Sequence, residues 1–287
     1  MRIVIAVLGG LGAAGAWAIA TLCSSRSSRM VDPAVVVAWV MLVGLLIAGP
    51  IALAEGVPAH RPTSAWVWLV LAGAGNVAGL ICTYGGLRLG QVALVAPLVS
   101  AEGAIAAVIA VLAGETLGAD VVATLALLAV GVALASVPDR AAHPDTRPEH
   151  HGAAIAFAAA AAILFGGSLY ATGRAGTMLP SAWVVLSARL IGAVVLAIPF
   201  ALAGRLRMSR RLAPLVVASG VGEVAGFFAF TAGARHGIAV AAVLSSQWAT
   251  FAAVAAYFLF RERLGRIQLI GVVAVITGVA LLSALRA

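Results

Sequence analysis

Five strongly polar side chains lie near the centres of five different apolar stretches: Asn76, Glu102, Arg189, Glu223 and Gln247. An ionisable group in the middle of a membrane helix costs about 2.5–3.5 kcal/mol, so it normally faces the bundle interior and has a partner. Two acids and one base predict one ion pair and one remaining acid. Because burial disfavours the charged form of a carboxyl group, the remaining acid can carry a proton or bind a cationic solute.

Arg189 allows two interpretations. Its guanidinium can receive a solute carboxylate in a bidentate contact, or it can form a structural salt bridge with Glu102 or Glu223. Trp248 follows Gln247 directly and is a candidate for lining a solute cavity, with a packed or lipid-facing position as the alternative. The candidate substrate- and proton-binding residues are therefore Asn76, Glu102, Arg189, Glu223, Gln247 and Trp248.

The composition places these residues in a membrane protein. The chain has 287 residues, of which 63% are hydrophobic and 10% are charged, whereas a soluble domain is about 45–50% apolar and about 25% charged. A helix needs about 20 apolar residues to cross the hydrocarbon core. Ten blocks meet this length, and they predict an all-α protein with ten transmembrane helices: Ile3–Leu22, Ala34–Leu53, Ala65–Leu87, Val92–Ala113, Val121–Val137, Ala153–Thr172, Ser181–Ala203, Leu212–Ala234, Ile238–Phe260 and Ile267–Leu285.

The two halves of the chain are copies of one another. At an offset of 147 residues, GAGNVAG (73–79) aligns with GVGEVAG (220–226), and 18 of the 64 positions from Gly73 to Ser136 are identical. We therefore predict a first five-helix repeat at 1–137, a polar linker at 138–152 and a second repeat at 153–287. Because five is odd, the repeats enter the membrane in opposite orientations. Inverted repeats of this kind place a solute site near the midplane, at the interface between them.

Several other functions are disfavoured. The glycine patterns lie inside apolar helices rather than between a strand and a helix, so we interpret them as small-residue stripes for close packing. No lysine is present, which excludes a P-loop, and no hydrolase or metalloprotease motif occurs. We expect no enzyme activity, no cofactor and no nucleic-acid partner. The linker contains three histidines, but its prolines and mixed charges favour a solvated segment over a metal site.

The ends of the fourth and ninth helices carry related segments, GETLG (114–118) and RERLG (261–265), each followed by a glycine-containing apolar helix. Together with the five-plus-five duplication, they resemble the drug/metabolite transporter superfamily of the EamA-domain type. Pro97 is similar to a proline of that family and is replaced by Leu244 in the second copy. Arg189 is similar to a family arginine, and the same offset places Leu42 in the first copy. We interpret Glu115, Arg261, Glu262 and Arg263 as surface residues.

The resemblance implies a multi-pass protein of the cell membrane that moves small metabolites or drugs, often amino acids or related compounds. Its partners would be a small-molecule substrate, the lipid bilayer and, as a hypothesis, protons. Small multidrug relatives use a glutamate in the first helix, which neither helix one nor helix six has here. A secondary transporter is the leading hypothesis. A lipid-carrier or headgroup flippase of the same fold is the alternative.

Overall fold

The computed structural model describes residues 2–28, 30–58, 62–89, 95, 98–135, 151–252 and 266–284. Within them, ten helices follow one another along the chain and no strand occurs. Their bounds are α1 Arg2–Ser27, α2 Pro33–Glu55, α3 Thr63–Leu89, α4 Glu102–Leu112, α5 Ala119–Ala135, α6 His151–Gly176, α7 Ser181–Leu202, α8 Ala213–Ala234, α9 Ile238–Ala252 and α10 Arg266–Ala284. The RERLG segment and Pro97 lie outside the described residues. So does the linker predicted at 138–152, apart from its last two residues, and the boundary between the repeats therefore stays a prediction.

The surface and the interior of the bundle have the composition expected in lipid. Six described helices are long and apolar enough to cross a membrane: α1, α2, α3, α6, α7 and α8. Large apolar side chains point outward, among them Leu112 and Leu202 at 83% and 85% exposure. Arg189 and Gln247 are fully buried instead. A water-soluble bundle shows the reverse distribution, so lipid is the solvent that this exterior fits.

Contacts between the repeats follow a pseudo-two-fold relationship. Helix α1 packs on α8, and their counterparts α6 and α3 pack on each other in the same way. Helix α2 contacts its own counterpart α7, and the pairs α4–α9 and α5–α10 do likewise. The prediction of two five-helix repeats is confirmed by this packing. Their inversion follows from the odd number of helices in each repeat.

The repeated glycine pattern serves helix packing, as predicted. A Cβ atom on Gly75 would lie 3.0 Å from the Leu164 carbonyl oxygen, and one on Gly222 would lie 2.7 Å from that of Ala16. One turn later, Gly79 abuts the ring of Phe165 and Gly226 abuts the indole of Trp17. Both interfaces therefore bring a glycine against a backbone carbonyl and the next one against an aromatic ring, which only a missing side chain permits.

Each of these two interfaces has one hydrogen bond from a serine to a backbone carbonyl, but the serine lies on the second-repeat helix in both cases, and these two helices are not equivalent. Ser168 of α6 donates to the Ala72 carbonyl oxygen of α3 at 2.7 Å. Ser219 of α8 donates to the Ala20 carbonyl oxygen of α1 at 3.2 Å. Ser219 is the counterpart of Ala72 at the offset of 147. Ser168 is the counterpart of Ala20 at the offset of 148 that separates Leu164 from Ala16 in the glycine contacts above. Each interface thus has one serine and one alanine, on opposite helices.

Helices α2 and α7 cross where glycines leave room for long side chains. A Cβ on Gly44 would lie 2.6 Å from Cδ of Arg189, and one on Gly192 would collide with Met41. Gly44 and Gly192 are 148 residues apart, as are Met41 and Arg189. The packing therefore makes Met41 the counterpart of Arg189, which corrects the sequence alignment with Leu42 by one residue. The shift agrees with the helix starts, since α2 begins at Pro33 and α7 at Ser181.

Helix α7 is not a regular α-helix throughout, in contrast to the continuous block predicted from its sequence. Residues Ala193–Ala197 form a π-helical turn between Ser181–Gly192 and Ile198–Leu202. Pro199 follows this turn and has no N–H to donate to the preceding turn. A single wider turn is a common way to accommodate such a disturbance within a helix.

The fourth helix of each repeat is interrupted near its middle, where the sequence predicted continuous spans. Ser100 and Ala101 form a turn before α4, and Ser246 and Gln247 form a turn within α9. In α9 the hydroxyls of Ser245 and Ser246 donate to the carbonyl oxygens three residues earlier. Hydroxyls that bond back to the helix bend it and offer carbonyls an alternative partner. Transporters with repeats place such discontinuous helices at the solute site.

Arg88 and Arg235 occupy equivalent positions in the two repeats, and the structure shows what Arg235 contacts. Arg235 follows α8, and its Nε and Nη2 atoms donate to the carbonyl oxygens of Gly176 and Leu179 at 2.8 and 2.9 Å. Gly176 is the last residue of α6 and Leu179 lies in the turn after it, so the guanidinium caps the C-terminus of α6 and holds the turn that follows. Arg88 is the counterpart and forms no hydrogen bond with the described residues.

Candidate functional site

A cavity lies between the repeats at the level of the interrupted helices. Helices α1, α3, α4, α6, α8 and α9 all contribute to it, and the cavity together with its opening contains about 510 Å³ of empty space. Four aromatic side chains form most of its apolar wall: Trp17, Phe165, Phe227 and Trp248. Its polar lining consists of Thr21, Asn76, Thr83, Tyr84, Glu102, Ser168 and Glu223.

Arg189 pairs with Glu223 next to this cavity. Nη2 of Arg189 lies 3.5 Å from Oε2 of Glu223, and the Arg189 side chain is fully buried. The distance is long for a hydrogen bond, and both atoms have no hydrogen-bond partner among the described residues. The guanidinium also lies 5.2 Å from the ring centroid of Phe227. Glu223 and Phe227 line the cavity whereas Arg189 does not, so the guanidinium lies behind the wall.

Glu102 is the acid without a cationic partner among the described residues. It is the first residue of α4, immediately after the turn at Ser100 and Ala101, and it is 5% exposed. Nε1 of Trp248 donates to its Oε1 atom at 2.9 Å. Trp248 follows the corresponding turn in α9. The two helix interruptions therefore bring these two side chains together, on the wall of one cavity.

The two amide candidates differ in their positions. Asn76 lines the cavity, is 2% exposed, and its Oδ1 atom has no hydrogen-bond partner among the described residues. Gln247 does not line the cavity. Its Nε2 atom donates to the Val243 carbonyl oxygen at 3.1 Å, within its own helix. Of the six candidates, the structure brings Asn76, Glu102, Glu223 and Trp248 together on the cavity wall and leaves Arg189 and Gln247 outside it.

Hydroxyl groups complete the lining, and the sequence did not single them out. Tyr84 lies near the end of α3, where an aromatic residue is typical of the membrane interface. It is instead buried at 3% exposure, and its hydroxyl donates to Oγ of Ser24 at 2.7 Å. Ser24 in turn shares a short hydrogen bond with Ser219. Hydroxyls are common in membrane helices, so sequence polarity alone gave little signal for them.

Glu115 is not a simple surface residue, contrary to the interpretation from the sequence. Its carboxylate oxygens lie 3.3 and 3.4 Å from the backbone nitrogen of Ala239, at the start of α9. The GETLG segment of the first repeat thus caps a helix of the second repeat. Partial burial raises the pKa of Glu115 above its ordinary value, and the N–H donors of Ala239 and Ile238 oppose that shift. Among the described residues, no group of three or more His, Cys, Asp or Glu side chains could hold a metal ion.

This geometry is that of a multi-pass membrane protein with a polar cavity between two helical repeats. The EamA-like transporter family model matches the chain twice, at residues 4–137 and 152–284. The chain belongs to this family. A solved crystal structure is similar over 98% of this chain and 96% of its own, with a TM-score of 0.79 at 21% identity, which supports the fold. No curated protein matches the chain significantly.

Proposed function

We propose that this protein is a secondary transporter of the cell membrane that exports or exchanges a small metabolite, such as an amino acid or a related compound, by alternating access coupled to protons. The cavity between the repeats is the observation that carries this proposal. It is built from both repeats, and it combines aromatic walls with buried polar groups. A rocking motion of one repeat against the other would expose it to either side of the membrane.

Glu102 is the residue that we propose to carry the coupling proton. It is buried on the cavity wall and has a hydrogen-bond donor in Trp248 but no cation beside it among the described residues. An uncompensated charge within the bilayer is costly, so a carboxyl in this position favours its neutral form when no solute is bound. If solute binding releases the proton of Glu102, the solute-bound and the protonated protein would favour the inward- and outward-open conformations to different extents. Coupling requires such a difference.

Glu223 has a different role in this proposal. Arg189 stays close to it and supplies a compensating charge, so Glu223 remains charged while it faces the cavity. We propose that Asn76 and Trp248 contact the solute directly. Arg189 and Gln247, which do not line the cavity, act on the site through Glu223 and through the turn in α9.

Transport by purified protein in liposomes tests this function. Uptake of a mixture of labelled amino acids and amines is measured with and without a pH gradient across the membrane. We expect the gradient to stimulate uptake by the wild-type protein. Glu102→Gln should still exchange solute across the membrane but should lose the response to pH.

The matched control is Glu223→Gln, which removes the other carboxyl of the same cavity. This variant leaves Arg189 without its counter-charge and should mainly lower thermal stability. Wild-type pH dependence in both variants would refute proton coupling. Absence of uptake and of exchange for every solute of the mixture would count against transport of this solute class.

A further inference from the structure

Several O–H and N–H donors of the cavity wall are already used within the protein, so these residues offer a ligand no free hydrogen. Ser219 donates to a backbone carbonyl, and a carbonyl oxygen can only accept. Its single proton is therefore committed, and in the short contact between Ser24 and Ser219 the donor must be Ser24. Since the Ser24 proton is committed as well, Tyr84 is the donor to Ser24. Tyr84 thus has its proton directed away from the cavity.

The consequence is that the Tyr84 oxygen can only accept a hydrogen bond from a ligand. This follows from the count of protons along Tyr84, Ser24 and Ser219 once Ser219 donates to the Ala20 carbonyl oxygen. The last acceptor, the Ala20 carbonyl oxygen, fixes the direction of the whole chain. Tyr84 is 3% exposed and lines the cavity, so its remaining lone pair faces a ligand rather than bulk water.

Other donors of the wall are committed in the same way. Ser168 donates to the Ala72 carbonyl oxygen, Trp248 donates to Glu102, and Trp17 donates to the Glu223 carbonyl oxygen at 3.4 Å. Ser168 keeps a lone pair that can accept, whereas the two indoles have no acceptor. Thr21, Asn76 and Thr83 form no hydrogen bond that the described residues supply, and each of them can both donate and accept.

The charges of the wall favour the same kind of ligand. Two carboxyl groups, those of Glu102 and Glu223, line the cavity, and no Arg or His of the described chain does. Arg189 compensates only Glu223 and lies behind the wall. A ligand carboxylate would face the charged Glu223 carboxylate with no cation of the described residues on the wall, whereas an ammonium group has three N–H donors and a positive charge that can replace the proton of Glu102. The aromatic walls add a surface for an apolar body and attract a cation.

We infer that the cavity selects compounds with an ammonium group on an apolar body, and that Tyr84 enforces this selection as an obligate hydrogen-bond acceptor. This inference rests on the proposed function and specifies its substrate class. It gives the ammonium group, rather than a carboxylate, the recognition role. A carboxylate on the same compound is not recognised by a cation of the cavity wall.

Three compounds with the same ring test the inference: 2-phenylethylamine, its N-acetyl derivative and 3-phenylpropanoate. Binding to the purified protein in detergent is measured by calorimetry at pH 7, where the amine is protonated. We expect the amine to bind at least about tenfold more tightly than either analogue, which corresponds to about 1.4 kcal/mol. Equal or tighter binding of the neutral or anionic analogue would overturn the inference, as would absence of amine binding.

Tyr84→Phe and Thr231→Val separate the acceptor role from general effects of losing a hydroxyl. Thr231 is the counterpart of Tyr84, does not line the cavity and bonds within its own helix to the Phe227 carbonyl oxygen. We expect Tyr84→Phe to weaken amine binding about five- to tenfold with little change for the N-acetyl analogue. Thr231→Val should change neither. If Tyr84→Phe binds the amine as tightly as the wild type does, Tyr84 does not select the ammonium group and the inference is overturned.

Exchange of labelled 2-phenylethylamine across liposomes distinguishes this inference from the proposed function. Amine that binds selectively but is not exchanged would support the site and contradict transport of this class. Exchange of other solutes without amine binding would support transport and contradict the inference.

Discussion

Met41 and Arg189 are counterparts in the two repeats, and they touch: Nη1 of Arg189 lies 3.4 Å from Sδ of Met41. Two equivalent positions can be in contact only close to the axis that relates the repeats. The guanidinium therefore lies near the pseudo-two-fold axis, where a symmetric pair of arginines would repel each other. Replacement of one by methionine places a single charge there, with a soft thioether beside it.

Removal of this charge should destabilise the protein strongly. In Arg189→Met, Glu223 is left buried at 8% exposure without its counter-ion. Breaking a buried pair from one side typically costs about 3–5 kcal/mol. We expect a lower melting temperature in detergent, and recovery of most of it in the double variant Arg189→Met/Glu223→Gln. A double variant no more stable than the single one would show that the ion pair is not the cause.

The glycine stripes predict a second effect on stability. Gly226→Ala forces a methyl group against the Trp17 indole, and such overpacking typically costs about 1–3 kcal/mol. Gly167→Ala is the matched control, since the open space around Gly167 contains no atom within 4 Å of the added carbon. We expect the first variant alone to melt earlier. Similar melting of both would contradict the packing role.

The repeats and the small-residue packing could be predicted because both leave a periodic signal in the sequence. Glu102 and Glu223 could be singled out because a charge in an apolar block is rare. The pairing of Arg189 with Glu223 rather than Glu102 could not, because the two acids lie at similar depth and the choice depends on how α2, α7 and α8 cross. The break in α9 had a signal, the polar run Ser245–Gln247, whereas the direction of the hydroxyls at Tyr84 depends on contacts between three helices.

The cap at Glu115 gives a pH prediction. Because its pKa is raised in the folded protein, the native state binds this proton more tightly than the unfolded chain does. The associated stability is present below the ordinary glutamate value of about 4.3 and is lost as the pH rises through the folded pKa. Glu115→Gln does not titrate at this position. As the pH rises from the ordinary glutamate pKa through the folded pKa, we therefore expect the melting temperature of the variant to rise relative to that of the wild type.

Measurement of melting temperatures between acid and neutral pH checks this prediction. The same substitution at Glu55, an exposed carboxyl at the end of α2 that forms no such cap, serves as the comparison. A difference between wild type and Glu115→Gln that is independent of pH would contradict the prediction.

Arg235 and Arg88 form a natural pair for a fourth test. Arg235→Gln removes the guanidinium that caps α6 through Gly176 and Leu179. A cation at the exposed C-terminus of a helix contributes about 0.3–1 kcal/mol, and Arg235 is exposed, so we expect a loss of stability of this size. Arg88→Gln removes the same charge from the counterpart position and should have little effect. Equal losses in thermal denaturation would show that the two arginines have the same role.

The exchanged serines at positions 168 and 219 bear on how duplicated halves diverge. Compared by packed position, Ser168 against Ala20 and Ala72 against Ser219 count as two differences. Compared contact by contact, they are no difference, since each interface keeps one hydroxyl and one accepting carbonyl. A serine on either helix forms the same kind of bond, so the two copies can differ in residue identity while their interfaces keep equivalent contacts. Residue identity between such repeats therefore understates how similar their interfaces are.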